Sequence, residues 1–228
     1  MTITKIKNIH KFIFWFLVFG FLIGLIFLFT INAWASDIEN KFYLENQKLY
    51  VENERDGKTI LLENIVDYKI TNLQEDTENL IVVSTDQKNQ TFNKLIIGNW
   101  IRFYEIEDIN NKIELNLIYE NNFTRVKPWS IDAGDLDDDG RKDIFIGAYK
   151  ATKYYELDKR PFFFNWNGKI LSRKWTGSYL SLRKLQEIEF EDLDNDGIDE
   201  VKALEQLKNG EIKYSYYKWD KFSFSRVK

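Results

Sequence analysis

Aspartates recur at alternate positions in two short stretches, DLDDDGRKD from Asp135 and DLDNDGIDE from Asp192. In the first, Asp135, Asp137 and Asp139 take positions one, three and five, Gly140 position six and Asp143 position nine. In the second, the same places hold Asp192, Asp194, Asp196, Gly197 and Glu200. Alternate carboxylates on a tightly turning chain converge on one point, and a residue without Cβ at position six permits the sharp turn. The seventh residue, Arg141 or Ile198, can then turn its backbone carbonyl inward, and the ninth carboxylate closes the shell. Six to eight hard oxygen ligands at about 2.3–2.6 Å suit Ca²⁺ better than any softer metal, whereas Mg²⁺ would demand a stricter octahedron. The spacing predicts two Ca²⁺ sites. Without a cation, this crowding raises carboxylate pKa values and opposes folding of the loop. A solvated acidic turn is the competing reading, disfavoured because two matched copies each run into a hydrophobic stretch. A helical EF-hand needs Glu at position twelve, where Ile146 and Ala203 stand.

Composition narrows the remaining chemistry. The chain has 228 residues, 44% hydrophobic and 16% aromatic, which is ample for a packed core, and a formal net charge of -4 gives no basic surface for nucleic acid. It has no cysteine, so disulfides, thiol nucleophiles and Cys-type zinc sites are excluded. Its one histidine, His10, lies outside the folded part, which removes the commonest general base and transition-metal ligand.

Residues 12–31 form an uncharged apolar run (FIFWFLVFGFLIGLIFLFTI) preceded by Lys5, Lys7 and Lys11. Twenty residues at about 1.5 Å each span roughly the hydrocarbon core, and the lysines predict that the rest of the chain lies outside the cytoplasmic membrane. Ala33 and Ala35 fit a signal-peptidase site. Residues 1–35 are therefore expected to be a retained single-pass anchor or a signal peptide cleaved after Ala35, and residues 36–228 an extracytoplasmic domain.

That domain reads as all-β. Short runs rich in Ile, Val, Tyr, Phe and Trp alternate with Asn, Asp, Gly and Lys clusters, and EIKYSYYKW and KFSFSRV alternate with period two. Strands are expected over residues 59–63, 66–71, 79–84, 94–100, 113–119, 143–149, 162–166, 169–175, 187–190, 200–205, 211–219 and 222–227. The acidic stretch also repeats. A weaker copy at Asp86 has Lys88, Gln90 and Lys94 in ligand positions, so no ion is expected there and a lysine is expected to supply the neutralising charge. An aromatic hairpin accompanies each copy: Tyr119, Phe123 and Arg125; Trp166, Ile170 and Arg173; Trp219, Phe222 and Arg226. Units of about 50 residues built from several strands suggest propeller blades.

GDLDDDGRKDIFIG (Gly134 to Gly147) and EDLDNDGIDEV (Glu191 to Val201) resemble the FG-GAP/VCBS repeats of integrin-α-like β-propellers and of many exported bacterial proteins. The resemblance implies a small or incomplete propeller of about four blades. It implies Ca²⁺ held between two strands of a blade by Asp135, Asp137, Asp139 and Asp143, and by Asp192, Asp194, Asp196 and Glu200. It says almost nothing about activity, since function lives in sites grafted onto folds.

The expected function is a non-catalytic, calcium-stabilised module at the cell envelope, binding an unknown extracellular protein or glycan. The alternatives are a hydrolase of envelope polymer using Glu187, Glu189 or Glu205, and an accessory subunit of an envelope complex. Trp129, Trp166, Trp175, Trp219, Tyr149 and Tyr179 invite a sugar-stacking reading. Their recurrence in the repeats favours packing, with Trp175-Thr176-Gly177-Ser178 the most loop-like exception.

Overall fold

A computed structural model of the chain describes residues 42–53, 57–74, 77–109, 112–152, 155–176 and 179–227. The expected anchor or signal segment, residues 1–35, lies outside these, as do Gly177 and Ser178. The chain divides into two compact units, Met1–Tyr43 and Leu44–Lys228, and the second is described here. Among the described residues there is no α-helix, and none is long and apolar enough to cross a membrane.

Seventeen strands are described. A first sheet holds β1 (Phe42–Glu45), β2 (Lys48–Asn53) and β3 (Gly57–Glu63) in that order. A second runs β4 (Ile65–Gln74), β5 (Thr77–Ser84), β8 (Trp100–Ile109) and β9 (Lys112–Asn122), with β6 (Thr91–Phe92) and β7 (Leu95–Ile96) forming a ribbon inserted between β5 and β8. The third holds β10 (Pro128–Gly134), β11 (Asp143–Thr152), β12 (Tyr155–Trp166) and β13 (Leu171–Trp175). The fourth holds β14 (Lys184–Glu191), β15 (Glu200–Gln206), β16 (Ile212–Asp220) and β17 (Ser223–Arg226). In the three four-stranded sheets, chain neighbours pair antiparallel. This is a four-blade, propeller-like arrangement, as the repeats predict.

The third sheet is covered on both faces, which explains why β11 reads as an almost unbroken apolar run. Ile144, Ile146, Phe162 and Phe164 pack with Ile81, Val83, Ile101 and Phe103 of the second sheet. The alternate residues Phe145 and Phe163 pack with Leu185, Ile188, Val201 and Tyr217 of the fourth. Phe163 is fully buried, with its ring centroid 5.7 Å from that of Phe145, 6.0 Å from Trp175 and 4.6 Å from Phe224.

Buried carboxylates also tie one sheet to the next. Asp67 of β4 accepts the Ser130 hydroxyl at 2.6 Å and the Ile131 amide at 2.9 Å, both from β10. Asp132 of β10 accepts the Phe190 amide of β14 at 2.9 Å and an ion pair from Lys69 Nζ at 3.1 Å. Burial pushes the pKa of both carboxyl groups up. Each nevertheless supplies an acceptor to a backbone N–H that the neighbouring ladder leaves unpaired.

The weaker repeat is corrected by the topology. The stretch from Asp86 joins the second and third strands of its sheet, whereas the two acidic loops each join the first and second. The expected strand 94–100 is instead a two-residue strand followed by a loop, and Trp100 opens β8. Asp86 is answered by the Asn99 side-chain amide at 2.5 Å and Trp100 Nε1 at 2.6 Å, not by a lysine. Likewise Tyr119, Phe123 and Arg125 do not form a hairpin: Tyr119 pairs with Phe103 within the β8–β9 ladder, which runs on to Asn122, and residues 124–126 form a 3-10 turn.

Replacing Phe163 by Ala should remove the ring that links the third and fourth sheets. A loss of about 3–5 kcal/mol is expected in chemical denaturation, with no change in the pairing of the second sheet.

Candidate metal centres

The two acidic loops fold alike. Position four is left-handed in both, Asp138 at φ 58° and Asn195 at φ 60°, and the position-six glycines follow at 74° and 89°. Asp and Asn tolerate that region better than most residues, and glycine adopts it without strain. The carboxylate at position one accepts the glycine amide, Gly140 N to Asp135 and Gly197 N to Asp192, at 2.9 Å in each loop. The carboxylate at position five accepts the amide of position seven, Arg141 N to Asp139 and Ile198 N to Asp196, again at 2.9 Å in each. The carboxylate at position nine reaches back to the amide of position two, Leu136 N to Asp143 at 3.3 Å and Leu193 N to Glu200 at 3.1 Å. Matched sequence thus gives matched hydrogen bonding.

Within each loop three carboxylates converge. One oxygen from each of Asp135, Asp137 and Asp139 lies within 4.8 Å of the others, and the same holds for Asp192, Asp194 and Glu200. Two oxygens bound to one Ca²⁺ at about 2.4 Å are at most about 4.8 Å apart, so these spacings fit a hard divalent ion bound by oxygens alone. The expected ligands Asp143 and Asp196 fall outside the converged trios. A lysine from a later strand of the same sheet reaches each loop, and each pairs with one carboxylate inside the trio and one outside it.

Lys174 of β13, with its side chain only 5% exposed, places Nζ 2.7 Å from Asp137 Oδ2 and 2.6 Å from Asp143 Oδ2. Asn165 donates its side-chain amide to Asp143 Oδ1 at 2.9 Å, which completes the occupation of that buried carboxylate. Lys218 of β16 plays the corresponding part in the second loop, 3.0 Å from Asp196 Oδ2 and 3.4 Å from Glu200 Oε1, but it is 37% exposed. Asn165 and Lys218 occupy like places, each just before the tryptophan of the third strand in its sheet. Lys174 is the additional group. Burial, opposed by Lys174, raises the Asp143 pKa to about 6. Lys218 in turn holds Asp196 below the ordinary range, after the larger effect of the Ile198 amide.

The loops also touch. Asp135 N donates to Asp199 Oδ2 at 2.7 Å, and Asp199 N donates to the Asp135 carbonyl at 2.7 Å. This two-way exchange joins position one of the first loop to position eight of the second. It needs glycine at 134, since a Cβ there would stand 2.6 Å from Phe190 Cδ2 and 2.7 Å from Asp199 Oδ2.

Sequence reasoning missed Lys174, Lys218 and Asp199. The Lys-Trp pairs at 174–175 and 218–219 were the available signal. The other candidates are mostly structural. Glu205 is buried and accepts from Ser181, Arg183 and Tyr217. Glu187 and Glu189 lie on the exposed face of β14, and Glu189 pairs with Lys202 at 3.2 Å. Trp129 and Trp166 are buried, and Tyr149, Trp175 and Trp219 pack against the cores; Tyr179 accepts from Arg160 at 2.9 Å.

Fold and loops together define an all-β, four-sheet propeller-like domain with two acidic clusters that can hold a metal ion. No family model matches the chain, and no curated protein matches it significantly in sequence.

Two outcomes follow. Lys174→Met strands two loop carboxylates without their counter-ion. Without divalent ions at neutral pH it should lose about 3–5 kcal/mol by chemical denaturation, and millimolar Ca²⁺ should restore much of that. For Asp143, a folded pKa above the ordinary 3.8 means that its stabilising contribution is complete below about 4 and is lost as pH rises through about 6. The metal-free wild type should therefore lose stability relative to Asp143→Asn across that window, on the order of 3 kcal/mol in denaturation midpoints converted to free energy.

Proposed function

We propose that this chain is a non-catalytic binding module of the cell envelope, related to FG-GAP/VCBS propellers, whose two acidic loops each take up Ca²⁺. Asp135, Asp137 and Asp139 hold one ion, with Asp143 and the Arg141 carbonyl completing the shell. Asp192, Asp194 and Glu200 hold the other, with Asp196 and the Ile198 carbonyl. The observation that carries this reading is the congruence of the two loops: the same left-handed position, the same three backbone-to-carboxylate bonds, and three converging carboxylates in each, at positions one, three and five in the first and one, three and nine in the second. A bound ion supplies positive charge that lets the converged carboxylates remain ionised, and it fixes the turns that join first and second strands. The apolar run at residues 12–31 supports a domain held outside the cytoplasmic membrane or released there after cleavage following Ala35.

The test is Ca²⁺ titration of the full-length chain in neutral detergent, by calorimetry and thermal melting. Each site at a free concentration of 100 times its Kd should add about 2.7 kcal/mol, a rise in Tm of roughly 5–10 °C, reversed by EDTA. Absence of heat at millimolar Ca²⁺ together with an unchanged Tm would remove the proposal.

A further inference from the structure

A cavity of about 750 Å³ opens where the second sheet hands over to the third, and its described lining contains Arg125, Lys150 and Arg173 but no carboxylate. That volume lies in the range of small-ligand sites. Arg125 lies in the 3-10 turn after β9 and Arg173 on β13, and both are exposed. Among the described residues none of these three cations forms an ion pair. A second cavity, lined from β4, β10, β12 and β14, differs in sign: Asp67, Asp132, Glu187 and Glu189 outnumber Lys69 and Lys159 there. The cavity with Arg125 is left with unopposed positive charge in a chain whose net charge is -4.

Its uncharged lining narrows the ligand. Asn121, Asn122 and Thr176 line it with amide and hydroxyl groups; Asn121 donates to the Tyr119 hydroxyl and Asn122 Oδ1 accepts the Thr124 amide, which leaves the Asn122 side-chain N–H groups and the Thr176 hydroxyl. Phe123 and Leu171, both half-buried, present apolar surface beside them, and the Phe123 ring is braced edge-on by Phe164 at 5.8 Å. Guanidinium groups recognise planar carboxylates in paired hydrogen bonds. Amides and hydroxyls suit sugar hydroxyls, and a braced aromatic ring suits the C–H face of a pyranose. We propose that this cavity binds a short stretch of acidic polysaccharide, with Arg125 and Arg173 on sugar carboxylates and Lys150 adding long-range attraction. This assignment rests on the binding-module reading and names its ligand class.

The probe is tetragalacturonate, titrated calorimetrically into the full-length chain with Ca²⁺ present, alongside its methyl ester and a hexaglutamate peptide. The tetramer should bind, more weakly as salt rises. The ester, which keeps the rings and hides the charge, and the peptide should each bind at least about tenfold more weakly. The double substitution Arg125→Gln and Arg173→Gln should weaken tetramer binding by about tenfold or more while leaving the Ca²⁺-dependent Tm shift intact. No heat with the tetramer in a preparation that still shows the Ca²⁺ shift overturns this inference and leaves the calcium reading standing; loss of the Ca²⁺ shift itself strikes the calcium reading instead. Equal binding by the double variant overturns the assignment of the arginines, and equal or tighter binding of hexaglutamate overturns the choice of glycan.

Discussion

Five carboxylates lie within nine residues of one turn, Asp135, Asp137, Asp138, Asp139 and Asp143, and their mutual repulsion is the constraint that the surrounding structure answers. The loop answers part of it itself, by aiming backbone amides at carboxylate oxygens, and this requires a left-handed residue at position four and glycine at position six. The remainder is answered from outside the turn. Lys174 and Asn165 reach the first loop from neighbouring strands of the same sheet, and Lys218 reaches the second. The acidic turns are thus clamped to other strands of their own sheets, β12 and β13 for the first and β16 for the second. Their geometry follows from the pairing β10–β11 and β14–β15, and it secures that pairing in return.

The same chemistry holds sheet to sheet. There are no cysteines to cross-link the sheets. Apolar packing supplies most of the stabilisation, but it is non-directional. Register comes from Asp67 and Asp132, each gripping a backbone amide of the following inner strand, and from Asp199, which exchanges two bonds with Asp135. These carboxylates carry a desolvation penalty, seen in the raised pKa of Asp67 and Asp132. A charge that is buried and also hydrogen-bonded specifies position more sharply than a methyl group does.

The β class, the acidic loops and the strands after them were legible because composition and spacing signal them directly: β-branched and aromatic runs, a fixed Asp-x-Asp-x-Asp-Gly order, and a long apolar β11. What was not legible has identifiable causes. β10 begins with proline and buries an aspartate, so PWSIDAG breaks the expected pattern although Trp129, Ile131 and Ala133 are core residues. β8 alternates clearly only at Ile101, Arg102 and Phe103 and then runs into exposed Glu107-Asp108-Ile109, while the extra residue of its register slip, Ile118, lies in β9. The false repeat at Asp86 arose because Leu95-Ile96-Ile97-Gly98 mimics the strand after a true loop, while the real first-to-second connection of that sheet is the short span between Gln74 and Thr77. Lys174 and Lys218 escaped notice because their partners are 31 and 22 residues away in sequence for the closest pairs, a distance only the paired strands can close.

The two loops, so alike in backbone, differ in how firmly the protein's own cation is held. Lys218 is partly exposed and can swing into solvent, where its ammonium regains hydration. Lys174 is buried, lies 5.2 Å from the Trp219 ring centroid, and binds two carboxylates at once. Lys174 therefore leaves its carboxylates less readily than Lys218 leaves Asp196 and Glu200. Because Asp199 sits between positions seven and nine of the second loop and bonds both backbone groups of Asp135, order imposed on the second loop is passed to position one of the first. Asp199 thus joins the two loops through backbone bonds, while Lys174 is the more firmly held of the two lysines that answer their charge.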